Sequence, residues 1–203
     1  LNFSSIYLYT LINSKKFKQA FAYAKKLETN DQESFESNII LGIYHCKNNK
    51  IALAKKYFLK AKTKNSKTIL ENYLINSLYN WSDLKGKNIE ESLSDLQKLD
   101  ERFSNLKKIQ DTFLYSFFGH NNAEKYFNEL TSDQKTDFSR YNYFYAKYLH
   151  SRGKVQEAKK ILNSSLEKHP RNLLLNQYKL DLENSDNNFS FDFKNETHII
   201  AEI

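Results

Sequence analysis

The sequence contains few of the residues that interrupt helices or cross-link small domains. Its 203 residues include one proline, four glycines, one cysteine and no methionine. Because proline and glycine interrupt regular structure, their scarcity predicts a largely helical chain. The single cysteine, Cys46, excludes an internal disulfide framework. A covalently stapled fold is therefore not expected, and the cellular compartment stays undetermined.

The sequence also lacks the common signatures of catalytic, metal and membrane-spanning proteins. No apolar run reaches the roughly 20 residues that a transmembrane helix needs. The four glycines are far apart, so no phosphate-binding loop is present. Neither paired cysteines nor a His-Glu-x-x-His motif supports a zinc site. We therefore expect a non-catalytic protein that holds no metal or cofactor and has no membrane span.

The residues that are abundant are lysine and the aromatics. The formal net charge is +7, and 15 Phe and 14 Tyr supply large apolar surfaces. Only four arginines contribute to the positive charge. Lysine is a strongly hydrated point charge, whereas arginine suits bidentate phosphate recognition. The composition therefore favours a solvated basic surface over a phosphate-binding one.

One segment, residues 143–170, has the clearest pattern of two short helices joined by a tight turn. With Ser139 as position 1, small residues occupy positions 8, 15 and 20, a large apolar residue occupies position 24, and proline occupies position 32. These residues are Ala146, Gly153, Ala158, Leu162 and Pro170. The spacing resembles that of the tetratricopeptide repeat, a helix–turn–helix unit of about 34 residues.

Other parts of the chain carry the same pattern. Ala20 and Ala54 are 34 residues apart, and Ala123 and Ala158 are 35 apart. A small residue at this position lets the two helices of a repeat cross closely. The resemblance implies an all-α, right-handed α-solenoid of five to six hairpins over residues 1–184. The expected units are 1–32, 33–66, 67–103, 104–138, 139–171 and a partial unit at 172–184.

Local signals predict the ends of several helices. Thr68 and Glu71 form a capping box that opens a helix through Trp81. The third unit has no alanine at the crossing position, where Ser92 is the nearest small residue, so its register is not fixed. In the first unit we expect Ile6 and Phe17 to face the neighbouring helix.

The C-terminal residues 185–203 diverge from the repeat. The pattern Phe189 to Phe193 alternates as in an extended segment. Asn195 can cap a further helix that begins near Glu196. The chain begins without Met and ends within an apolar pattern, so we expect it to be a piece of a longer bacterial protein of this family.

The resemblance also implies which residues meet a partner. In this family, the first helix of each hairpin lines the concave face, and positions 2, 5, 9, 12 and 13 face into it. Among such residues, the candidate partner-binding set is Tyr9, Asn13, Ile43, Lys47, Lys108, Thr112, Tyr115, Arg140, Tyr143, Lys147 and His150. This surface is aromatic, rich in amides and mildly cationic.

The function expected from this surface is a protein-interaction scaffold that binds a peptide or helix with some acidic character. The alternative is binding of RNA or single-stranded nucleic acid, since the chain is basic and rich in rings that can stack on bases. A third hypothesis is a structural role in a cell-envelope assembly.

Overall fold

The computed structural model describes residues 3–64, 68–132, 139–184 and 191–202. Over these ranges the chain is all-helical, with twelve α-helices and no strand. The all-α expectation is confirmed. The chain divides into two compact units, one comprising Leu1–Phe103 with Ile199–Ile203, and the other Ser104–His198.

The first unit is a succession of helices, each packed against the next. These helices are α1 (Phe3–Asn13), α2 (Phe17–Thr29), α3 (Phe35–Lys47), α4 (Ile51–Lys62), α5 (Ile69–Trp81) and α6 (Ile89–Gln97), with a 3-10 turn at Glu101–Phe103. In addition, α1 contacts α3. The first helices of consecutive hairpins are therefore neighbours in this unit.

The second unit follows the same plan. Its helices are α7 (Ser104–Phe117), α8 (Ala123–Thr131), α9 (Ser139–Ser151), α10 (Val155–Lys168) and α11 (Leu173–Asn184). Consecutive helices pack together, and α9 also contacts α11. The short helix α12 (Glu196–Ile200) lies across the sequence boundary of the two units.

Four of the helix–helix turns have the same backbone geometry. Each contains one left-handed residue, at Lys15, Asn49, Gly119 and Gly153, with φ of 57°, 56°, 64° and 79°. In every case that residue donates its N–H to the carbonyl three residues earlier, and the next residue donates to the carbonyl five residues before itself. This is the Schellman motif, which satisfies the last carbonyls of a helix. The left-handed residues are 34 apart within each unit.

Close contact between paired helices explains the small residues. Ala20, Ala54 and Ala158 are each the fourth residue of their helix, and all three are fully buried. A Cβ atom added at Gly42 would overlap three atoms of the Phe58 ring, of which even the farthest, Cζ, lies at 2.9 Å. Glycine at this position therefore lets α3 and α4 approach each other.

Ala123 differs from the other crossing alanines. It is fully buried as they are, but it is the first residue of α8 rather than the fourth. It also lies one residue closer to the left-handed residue of its turn. The spacing of 35 residues between Ala123 and Ala158 reflects this offset.

The predicted caps are confirmed. The Thr68 side chain accepts a hydrogen bond from the Glu71 N–H, and the Glu71 carboxylate accepts one from the Thr68 N–H. The Asn195 side chain accepts from the N–H of Thr197, at the start of α12. Ser92 is buried and donates to the Asn88 carbonyl, as expected for the small residue of the third unit.

Two packing expectations for the first unit are wrong. Ile6 is 52% exposed and Phe17 is 57% exposed. The buried residues of α1 are Ser5, Leu8 and Leu11. The apolar pattern misled because α1 is apolar around most of its circumference, so periodicity alone does not identify its buried side. Residues 189 and 190 of the expected extended segment lie outside the described ranges.

Candidate protein interface

The predicted partner-binding residues of the first unit lie on an exposed surface shared by α1 and α3. Tyr9 is 69% exposed and Ile43 is 47% exposed, and Asn13 and Lys47 are exposed as well. Tyr9 and Ile43 are 34 residues apart, at equivalent places on two helices that contact each other. We call the surface formed by these four residues the α1–α3 face.

The composition of α1 makes its exposure unusual. None of its 11 residues, FSSIYLYTLIN, is charged. A helix that is apolar on all sides is ordinarily buried on all sides. In the described chain, Phe3, Ile6, Tyr7 and Tyr9 are all exposed large apolar residues of this one helix. The outer surface of α1 therefore has the composition of an interface.

Exposed apolar surface is concentrated in the first unit. Of the fourteen exposed large apolar side chains in the described ranges, eleven belong to this unit, and only Leu106, Leu173 and Leu180 belong to the second. Single exposed apolar residues are normal on any protein, whereas a contiguous group marks a binding site. The group on α1 and α3 is therefore the best candidate for such a site.

The predicted residues of the second unit are arranged differently. Lys108 and Arg140 are exposed, whereas Thr112 and Tyr143 are only 1% and 2% exposed. The Thr112 hydroxyl donates to the Lys108 carbonyl within α7. Tyr115 is half-buried and stacks on Tyr126 at a ring distance of 4.2 Å. The predicted set of the second unit therefore does not form one exposed surface.

Lys147 and His150 contact α11 of their own chain. The Lys147 ammonium lies 5.7 Å from the centroid of the Tyr143 ring and 5.2 Å from that of Tyr178. His150 Nδ1 forms a hydrogen bond of 3.1 Å with the Tyr178 hydroxyl. Burial lowers the pKa of Lys147, which Asp181 partly offsets. Here α11 covers the face that sequence reasoning assigned to a partner.

Several lysines of the first unit are engaged in ion pairs between helices. Glu28 on α2 accepts hydrogen bonds from Lys25 at 2.6 Å, from Lys60 at 3.2 Å and from the Tyr57 hydroxyl at 3.0 Å. Burial opposes ionisation of Glu28, but these three bonds outweigh it and lower its pKa to about 2. Lysines neutralised in this way contribute little to a nucleic-acid surface.

A groove beside α5 escaped the sequence reasoning. It has a volume of about 230 Å³ and is lined by Ile69, Asn72, Tyr73, Asn76, Lys98, Leu99 and Asp100. The α5 residues among them follow helical spacing along one side of the helix. The register of the third unit was not fixed by the sequence, so these positions could not be assigned to a face. The only signal was the pair of amides four residues apart, at Asn72 and Asn76.

The described residues contain no group of three or more His, Cys, Asp or Glu side chains able to hold a metal ion. None of their helices has the length and apolar character needed to cross a bilayer. His45 stacks on Tyr57 with parallel rings at 5.3 Å, and Cys46 is buried. These two residues are therefore part of the packing of α3 against α4.

Comparison with family models, with curated proteins and with solved structures gave no match in any of the three.

Proposed function

We propose that this chain is a non-catalytic protein-interaction module of the tetratricopeptide-repeat type. Two features support the repeat assignment. The first is the Schellman turn that recurs at intervals of 34 residues within each unit. The second is the close helix crossing at Gly42 and Phe58 and at the buried alanines. The proposed architecture is a solenoid of hairpins in which the first helices present the binding surface.

The observation that carries the function is the joint exposure of Tyr9 and Ile43 on the α1–α3 face. An aromatic and an aliphatic anchor, set among polar neighbours, is the usual composition of a peptide-binding surface. Asn13 can pair with the backbone or side chain of a bound segment. Lys47 gives preference to a ligand with a carboxylate. The proposed ligand is therefore a short protein segment with apolar anchors and at least one acidic residue.

A selection experiment followed by a matched pair of variants tests this function. Peptides are selected from a random display library on the immobilised full chain, and the strongest is labelled for fluorescence anisotropy. Its affinity is then compared for the wild type and for Tyr9→Ala combined with Ile43→Ala. Because both residues are exposed, the double variant should keep its helical circular dichroism. We expect its binding to be at least about tenfold weaker, since each anchor is worth about 1 kcal/mol or more.

The control variant is Leu53→Ala combined with Leu59→Ala. Both leucines are exposed on α4, at 43% and 46%, so a similar apolar area is removed from a second helix of the same unit. We expect this control to bind within about twofold of the wild type, because surface substitutions outside an interface have small effects. Equal loss in both variants, or a library that yields no binder, would contradict the proposed function.

A further inference from the structure

Two phenylalanines near the C-terminus occupy an aromatic pocket in the second unit. Phe191 contacts the rings of Phe144 at 4.9 Å and Phe113 at 5.9 Å. Phe193 contacts Tyr148 at 5.6 Å, Phe127 at 6.0 Å and Phe113 at 6.3 Å. The walls of this pocket belong to α7, α8 and α9. We call it the aromatic pocket, and residues 191–193 the Phe-x-Phe segment.

The pocket is built by the helices, and the segment enters it from outside them. Phe113 and Phe127 already contact each other edge to face at 6.4 Å, and Phe113 contacts Phe144 at 5.2 Å. Phe191 and Asp192 are not part of any helix. Phe193 is nevertheless only 7% exposed, because it is enclosed by side chains of the three helices.

The hydrogen bonds of the segment are local, whereas its contacts with the pocket are between rings. Asp192 donates its N–H to His198 Nδ1 at 2.9 Å and accepts, at its carboxylate, the N–H of Lys194 at 2.8 Å. Its carbonyl accepts the N–H of Asn195 at 3.1 Å. A segment that folds on itself and inserts two alternate side chains into a pocket has the binding mode of a peptide ligand.

We propose that the aromatic pocket is a binding site for Phe-x-Phe sequences and that residues 191–193 occupy it as an internal ligand. The external ligand is a protein segment with two phenylalanines separated by one residue. It binds by replacing the internal segment, so the chain regulates access to its own pocket. This site is distinct in its residues from the α1–α3 face, and its test is independent of that face.

Competition sets the size of the effect. A tethered segment acts at an effective concentration in the millimolar range. A free peptide with a Kd of about 100 µM for the open pocket is therefore about tenfold weaker against the occupied one. The peptide should consequently bind poorly to the wild type and well to a chain whose own segment cannot compete.

The experiment uses a labelled peptide that copies residues 189–198 and the full chain with Phe191→Ala and Phe193→Ala. Anisotropy should show binding to this variant at least about tenfold tighter than to the wild type. A control peptide with both phenylalanines replaced by alanine should bind neither chain. Equal binding of the copied peptide to both chains, or binding to neither, would overturn the proposal.

A second form of the protein keeps the test decisive if the double variant does not fold. A protease site is placed between Asn184 and Phe191 of the otherwise wild-type chain, which folds with its own segment in place. After cleavage, the labelled peptide should exchange into the pocket, and the released C-terminal piece should separate on gel filtration. A cut piece that stays bound in the presence of excess peptide shows permanent core packing and refutes the internal-ligand hypothesis.

Discussion

Substitution of Gly42 by alanine tests the close crossing of α3 and α4. In an ordinary helix this change is stabilising by about 1 kcal/mol, since alanine is the better helix former. Here the added methyl group would overlap the ring of Phe58, which is fully buried and has little room to move. Overpacking of a core costs about 1–3 kcal/mol, and more when the overlap is severe. We expect Gly42→Ala to lower the free energy of unfolding by about 2 kcal/mol, the larger cost less the helix gain.

A double-mutant cycle with Phe58→Leu isolates the cause. Leucine lacks the Cε1 and Cζ atoms, two of the three ring atoms that an added methyl would meet. Alone, Phe58→Leu should cost about 1–2 kcal/mol through the cavity that it leaves. In the double variant the methyl group refills that space, so the two costs should be sub-additive by at least about 1 kcal/mol.

Urea denaturation followed by circular dichroism measures the three variants and the wild type on the same scale. A stabilising effect of Gly42→Ala would refute the close crossing, because the helix preference would then act without opposition. Strict additivity in the cycle would show that any loss in the single variant does not come from contact with Phe58.

Three further changes probe electrostatics and capping. Burial opposes ionisation of Glu28 but its hydrogen bonds outweigh it, so its stabilisation is present at neutral pH and lost as the pH falls from 4.5 to about 2. Glu28→Gln should lower the unfolding free energy by about 1–2 kcal/mol at about pH 7 and by much less at about pH 2. Burial raises the pKa of Asp111 to about 6, against the effect of Lys107, so its ionisation costs stability as the pH rises from 3.8 to about 6. Asp111→Asn should therefore raise the unfolding free energy by about 1 kcal/mol at about pH 7 and leave it unchanged at about pH 3. Thr68→Ala should cost about 1 kcal/mol through loss of the cap on α5, and an unchanged denaturation midpoint would contradict the capping role.

The sequence was most informative where a residue type has one physical purpose. The capping box at Thr68 and Glu71, the glycines of two turns and the crossing alanines each follow from a backbone requirement that few residues satisfy. Tyr143 shows the limit of this reasoning. Its position in the repeat predicted exposure, but whether a first helix is exposed depends on whether another helix follows, and α11 covers it. Burial of such a residue is decided by contacts distant in sequence.

The two phenylalanines of the C-terminal segment illustrate a second limit. Alternation of apolar and polar residues at 189–193 indicated an extended segment, and no local signal identified where its rings would lie. Their contacts with Phe113 and Phe144 join residues that are far apart in the chain. The α5 groove was missed for a related reason, because a repeat without its crossing alanine gives no register from which to count.

The most direct test of the proposed interface is hydrogen–deuterium exchange of the full chain with and without the peptide selected from the display library. Binding at the α1–α3 face predicts slower exchange of amides in α1 and α3, since a bound segment reduces local opening of the helices it contacts. The Tyr9→Ala and Ile43→Ala variant should lose this protection. Protection confined to the other helices, with α1 and α3 unchanged, would contradict the assignment of this face as the binding surface.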